Sequence, residues 1–440
     1  MNQILPLKQI YPSEELLYFV WKNRQLESKS LCLINGEKLQ IIQPGFRNFN
    51  SGPDFLQARV QLGPIQLVGN IEFHVRSSDW FKHNHQNDKG YETVILHVVY
   101  EYDQEVILED GFEIPVLELK NYLDDELLNR YNYLFMNQDE KACHNFGDLP
   151  PRIQLEQWTN RLATERMEEK FERIQLRLAE SKNHWEEVFF KELLRSFCGS
   201  LNSDGAESLN AKIDFGLVLK YRHQQFNFIS LIWGLAGFLE EKGKGNLAIE
   251  LRKTWLFLKE KHGLEAMPIH IWKFSKTRPA NFPSNRLLQL ALFYIHDKVN
   301  LFSYAGMRSP KAIAESLESN LLTRHAEFPE ISNGNKLTKT GKAGKELLYR
   351  ILVNTVAPML FALGKKRDET YLQELALDIW NYCPAENHQQ SKYWKTRGWQ
   401  SHSALDSQAM LAQHLHYCIK RNCLSCMLGQ YFIKPKTNSS

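Results

Sequence analysis

Several signatures are missing from this chain of 440 residues, and each absence narrows the field. No Gly-rich phosphate loop, no G-x-S-x-G elbow and no H-E-x-x-H helix occurs. The best-known nucleotide-binding, serine-hydrolase and zinc-protease motifs are therefore excluded. No run of eighteen apolar residues is present, so no membrane-spanning helix and no membrane partner are expected. The opening, MNQILPLKQIYPSEELLYF, has no basic stretch leading into an apolar one, so no secretion signal is expected. Charge of one sign is also lacking: the net value is +3 with histidine neutral. That excludes a strong whole-molecule field for nucleic acid and leaves room for a local basic groove. Cysteine is sparse, seven in all, an odd number that fits reduced thiols in a cytosol better than a disulfide framework.

What is present is an ordinary folding composition. Hydrophobic residues make up 43% and aromatics 12%, enough for two or three domains with real cores. Strand signals dominate the first 120 residues or so. SEELLYFVWKNRQL (13–26) places acids after a serine and then an apolar run, which predicts an N-capped helix. Asn35-Gly36 between apolar stretches predicts a hairpin. Residues 55–62 and 65–76 alternate around Gly63-Pro64, with Ile71, Phe73 and Val75 on one face and Asn70, Glu72, His74 and Arg76 on the other. A polar face that complete is either solvated or a site. TVILHVVYEY predicts a central strand, and QEVILEDGFEIPVLEL a further hairpin around Asp110-Gly111. From there on helical periodicity takes over, with helices expected near 155–181, 185–198, 227–240, 246–262, 284–297, 345–363, 368–381 and 406–419. The expected class is α+β: an α/β sheet unit over 1–125 and a larger all-helical region over 126–440.

The stretch NSGPDFLQARVQLGPIQLVGNIEFHV (50–75) concentrates the chemistry. Phosphodiester hydrolysis on a divalent ion needs carboxylate oxygens around Mg²⁺ or Mn²⁺ and a group to orient or deprotonate water. Asp54 opens one hairpin strand; Glu72 lies on its neighbour, with His74 two residues on and on the same face. Gly-Pro-Asp is also good turn chemistry without any metal. His83, His85 and Asp88 follow in a polar segment, and with His74 they offer a second, zinc-hydrolase reading. His97 stands inside an apolar strand, where a histidine is usually a satisfied core residue.

Three thiols, Cys418, Cys423 and Cys426, form a C-x4-C-x2-C array beside Lys420 and Arg421, whose charges favour thiolates. With Cys383, His414 or His416 as a fourth ligand they predict zinc or an iron–sulfur cluster. WKFSKTRPANFPSNRLLQLA (272–291) sets Lys273, Arg278 and Arg286 among aromatics. That pattern suits DNA or RNA, and equally suits arginines that lock helix ends.

Pro53-Asp54 and Glu72-Phe73-His74 resemble the PD-(D/E)XK nuclease-like fold, in which a helix precedes an antiparallel three-strand meander, a second helix and a further strand. The resemblance covers roughly the first 125 residues. It implies metal-dependent catalysis on nucleic acid by Asp54, Glu72 and His74, with Asp54 and Glu72 holding the ion. The helix at 13–26 would then supply Glu14 or Glu15. His74 stands where that family usually has lysine, which favours the alternative of a non-catalytic nucleic-acid-binding or scaffold protein. Over its whole length the chain is also similar to an uncharacterised bacterial domain-of-unknown-function family, through GNIEFHVRSSDW, KFSKTRPANFPSNRLLQLA and CLSCMLG among other stretches. That similarity implies a cytoplasmic bacterial protein and no particular substrate.

Overall fold

The computed structural model of the protein describes residues 12–26, 30–108, 111–136, 141–144, 146–241, 246–275, 277–278, 281–322, 331–333, 336–338 and 344–434. Contacts divide the chain into two compact units, Met1–Pro150 with His414–Ser440, and Pro151–Gln413. The division expected at residue 125 from the change of periodicity falls instead at Pro150/Pro151, and the last segment returns to the first unit.

The first unit begins with α1 (Glu14–Lys22), acidic in its first turn and basic in its last, as the helix dipole favours. Ser13 stands at the N-cap position with extended backbone, but its hydroxyl pairs with the Tyr131 hydroxyl at 2.8 Å and caps nothing. Seven strands follow: β1 (Leu31–Cys32), β2 (Lys38–Gln43), β3 (Phe46–Arg47), β4 (Phe55–Leu62), β5 (Ile65–Arg76), β6 (Val94–Glu101) and β7 (Val116–Glu118). The sheet order is β1-β2-β4-β5-β6-β7, with β3 paired to β4. Gly36, at φ +84°, makes the turn between β1 and β2 that the Asn-Gly signal predicted. β4 and β5 form the expected antiparallel hairpin, and β5 pairs parallel with β6. The crossover between them carries the short helix α2 (Asp79–Lys82) and 3₁₀ turns at His85–Asn87 and Lys89–Tyr91. Around Gly111 only an Ile107–Glu113 bridge forms before the chain enters β7; Asp110 lies outside the described residues.

The sheet has two differently furnished faces. On one, Phe55, Ile71, Phe73, Leu96 and Val98 are fully buried against α1, with Tyr18 and Trp21 meeting the Phe73 ring edge-on at 5.2 and 5.8 Å. Each such side chain contributes about 1.5–3 kcal/mol by leaving water. On the other, Trp80, Tyr91, Val94, Val106 and Ile114 form a small separate cluster under the crossover. Glu72, His74 and His97 lie on this second face. Helix α3 (Asp125–Met136) and the helix Met427–Ile433 complete the unit, with Arg130 holding the carbonyls of Phe432 and Lys434 at 3.3 and 2.9 Å.

The second unit is helical. Its first three helices are α4 (Arg152–Glu180), α5 (Trp185–Cys198) and α6 (Ser203–Lys212). The windows predicted at 185–198 and 246–262 coincide with observed helices. The window at 227–240 ends early, at Leu235, because Gly237 takes φ +82° and sits where a Cβ would lie 2.4 Å from the Met267 carbonyl oxygen. Ile331–Asn333 and Lys336–Thr338 pair as two short antiparallel strands. The stretch Lys345–Arg367, which includes a π segment at Leu352–Val356, is long and apolar enough to cross a membrane, yet 83% of its most apolar window is buried in the protein. It is a core helix by that measure.

Candidate metal centre

The middle of the polar face of β5 is buried: Glu72 is 5% exposed and His74 1%, while Asn70 and Arg76 are half-buried. Two devices bring further donors to it. Parallel pairing of β5 with β6 sets His97 opposite Glu72. The crossover then folds back over the strands, and Asn84, in the left-handed region at φ 63°, turns the chain between His83 and His85. His85 stacks on the Tyr91 ring at 3.8 Å, and Trp80 meets His74 and His85 edge-on and His97 at a tilt. The imidazoles are thus held by aromatic walls.

One ligand nitrogen from each of His74, His83 and His85 lies within 4.8 Å of the other two; this is the one such group of three among the described residues. His74 Nε2 and His83 Nδ1 are 3.1 Å apart. Glu72 Oε1 is 3.3 Å from His85 Nε2 and 3.8 Å from His74 Nε2. Donors around a four-coordinate ion at about 2.0–2.2 Å stand roughly 3.3 Å from one another, so the spacing suits one ion. His85 Nε2 is buried, without a well-aligned hydrogen bond, and faces that same carboxylate oxygen. His83 is exposed, which leaves one side open to solvent. Behind the set, His74 Nδ1 pairs with His97 Nε2 at 2.9 Å, and such a partner fixes the ring orientation of a ligand.

The electrostatics agree with this geometry. Burial, then His97, His83 and His85, pull His74 down to about 2, so its ring stays neutral. Burial holds His97 down to about 3. Burial pushes Glu72 up; the nearby His85 opposes that, and Asp54 adds to it. Glu14 is pushed up to about 7, by burial first and then by the charges of Asp54 and Glu72. The charges of Asp54 and Glu72 thus add to burial in discouraging ionisation of Glu14.

Asp54 plays another part than the sequence suggested. Its Oδ1 accepts hydrogen bonds from the Tyr18 hydroxyl at 3.0 Å and from Arg47 at 2.7 Å, and its Oδ2 accepts from the Phe73 N–H at 3.1 Å. The Arg47 guanidinium also lies 3.7 Å from the centre of the Tyr18 ring. Asp54 N–H in turn donates to Glu72 Oε2 at 3.0 Å, leaving Oε1 toward the histidines. Asp54 thus organises Glu72. Of the zinc quartet, His74, His83 and His85 assemble, while Asp88 accepts from Gly90 N–H at 2.8 Å and takes no part. Glu72 Oε1, rather than Asp88, lies beside His85 and His74. His97, read as a core histidine, backs His74 instead; only its placement opposite Glu72 could have signalled that.

The remaining sequence-predicted residues fare differently. Cys418 and Cys426 are buried and Cys423 is half-buried, and no group of three metal ligands among the described residues includes them. Burial, with the neighbouring Cys426 and Cys418, pushes the Cys423 thiol up to about 12 despite Arg421, so the expected thiolate is not favoured. Gly429 packs where a Cβ would lie 2.1 Å from the Cys423 carbonyl oxygen, and Cys423 borders the core. Cys383 is buried in the helical unit, its thiol also raised to about 12 by burial and then Glu386. Arg286 is 6% exposed and donates to Gln289 in its own helix and to Asn281 just before that helix. Lys273 pairs with Asp204 at 3.2 Å, Arg278 is exposed, and the rings of Phe274 and Phe282 pack on each other.

Fold and site together define a mixed-sheet protein with a histidine–carboxylate centre under its crossover. The chain belongs to the DUF2851 family, described as proteins of unknown function, which it matches over residues 14–389. No curated protein and no solved structure matches it.

Proposed function

We propose that this protein is a metal-dependent hydrolase whose ion is held by His74, His83, His85 and Glu72. The carrying observation is the convergence of three imidazole nitrogens within 4.8 Å beside a buried carboxylate that is itself anchored by a backbone N–H. Imidazole-rich donor sets with one carboxylate favour zinc and related transition ions over magnesium. Such an ion supplies an activated water near neutral pH and polarises an oxygen of the substrate. The chain's own residues do the rest. His97 fixes the His74 ring, Asp54 fixes Glu72, and the open side at His83 admits water and substrate.

A phosphodiester, in DNA or RNA, is the substrate class we favour. Its support is the gathering of Glu14, Asp54 and Glu72 at the strand pair that carries the PD and EFH elements, with Arg47 among them. Glu14 and Glu72, raised by burial first and then by the charge of Asp54, gain from a cation, which keeps a Mg²⁺- or Mn²⁺-dependent nuclease as the second reading.

The test is metal content and zinc titration of the purified protein, followed by a phosphodiesterase screen with zinc, manganese and magnesium. Zinc bound at one equivalent and lost in His83→Ala/His85→Ala supports the histidine centre. Binding of manganese alone, abolished by Asp54→Ala, supports the second reading. A protein that binds none of the three ions, with the variants indistinguishable from wild type, sinks both.

A further inference from the structure

The helical unit contains a cavity of about 380 Å³ whose wall is unusually basic. Arg166, Lys170 and Arg173 reach it from α4, Arg195 from α5 and Arg350 from the helix Lys345–Ile351; Glu386 is the one acidic residue in the lining. We infer that this cavity binds a phosphate-bearing small molecule, with Lys170 as its central contact and the arginines around it.

The arginines are held in place by ion pairs with acids outside the lining. Arg166 Nε donates to Gln408 at 3.2 Å, itself on the wall, and the same guanidinium pairs with Glu169. Arg173 pairs with the buried Glu192 at 2.9 Å, Arg195 with Glu207 at 3.1 Å and Arg350 with Glu346 at 2.7 Å. None of these acids lines the cavity. Fixed guanidinium forks of this kind lose little freedom when they meet a phosphate.

Lys170 is different. It is 3% exposed, and its Nζ donates to Asn354 Oδ1 at 2.8 Å, with no carboxylate in ion-pair reach among the described residues. Burial, then Arg166 and Arg173, pull its amine down to about 7, while Glu386 and Glu192 oppose them. A buried ammonium without a counter-ion is costly, and a bound anion removes the cost. A second feature of the same wall also favours an anion. Gly199, at φ +72°, ends α5, and Ser200 and Ser203 lead into the N-terminus of α6 at the cavity. Asn202, at that N-cap, gives the helix no side-chain hydrogen bond, because its amide is engaged with Lys273 N–H and carbonyl at 2.8 and 3.2 Å. The Ser203 N–H already bonds the Ser200 carbonyl, so what this end of α6 offers an anion is the hydroxyls of Ser200 and Ser203 on the cavity wall. The volume is within the usual range for small-molecule sites.

The inference is independent of the metal centre and is tested on the full chain. Calorimetric titration uses inorganic pyrophosphate in one arm and ATP in the other, at fixed ionic strength. Wild type is expected to bind at least one of them, and Lys170→Met to weaken that binding by about 10-fold or more. The methionine fits the buried slot, so the variant should melt no lower than wild type without ligand. Should it fail to fold, Arg350→Gln serves instead and is expected to weaken the same binding. Pyrophosphate alone would indicate an inorganic or simple phosphorylated ligand, and tighter ATP binding a nucleotide; either upholds the inference. Wild type that binds neither probe, or a folded variant that binds as tightly as wild type, overturns it.

Discussion

The two units bury charge in opposite senses. In the sheet unit, burial pushes Glu14 and Glu72 up and holds His74 and His97 down, so the buried groups are electron donors short of a cation. In the helical unit, burial pulls Lys170 down beside four arginines, so the buried group is a cation short of an anion. The physics is the same in both: low dielectric penalises whichever form is charged. What differs is the geometry around it. The sheet donors converge on a point a few ångströms wide, which suits an ion; the helical cations line a cavity, which suits a molecule.

The sharpest way to break this contrast is to empty its first half. His83→Ala/His85→Ala, both on a partly open segment, should lower zinc affinity by more than about 100-fold while leaving the circular dichroism unchanged. Unaltered affinity in a competition titration would remove the sheet unit from the comparison.

The second half has its own signature in pH. Lys170 titrates near 7 in the fold and near 10.5 when unfolded, so between those values the unfolded state binds the extra proton. Stability therefore rises with pH across that window, by at most about 1.4 kcal/mol per unit, and the cost is fully present below pH 7. Between pH 7 and 9, wild type should gain on the order of 2 kcal/mol more than Lys170→Met in urea unfolding. Parallel pH profiles for the two proteins would mean that the buried amine is not strained.

Finer changes sharpen the first half. His97→Phe keeps the volume and removes the ring that orients His74; a loss of about 10-fold in zinc affinity is expected by titration. Asp54→Asn should have the smallest effect on zinc, under about 3-fold, because the Asp54 N–H that anchors Glu72 remains. A larger loss than that of His97→Phe would return Asp54 to the ligand set.

Legibility in the sequence followed the range of the forces involved. The helices at 185–198 and 246–262 were readable because their periodicity is local, and so was the hairpin around Gly63. The return of Met427–Ile433 to the first unit was not, because an apolar helix face does not state its partner. The environment of the C-terminal thiols was not legible for a related reason. Close spacing in the chain put Cys418, Cys423 and Cys426 near one another, but core packing, as at Cys423, decided their environment.

The candidate site divides along the same line. By itself the sequence determined that Glu72 and His74 share one face of a strand, since alternation is a property of any extended backbone. It also determined that His83 and His85 lie in a short polar crossover. Only the tertiary structure decided that these two side chains are buried, that the crossover folds over them, and that Asp54 is occupied by Arg47 and Tyr18. Those outcomes depend on parallel pairing of β5 with β6 and on the Trp80 cluster, contacts between residues distant in the chain. The basic cavity is the extreme case, because its lining comes from α4, α5 and later helices, none of whose charge patterns looks unlike a solvated face.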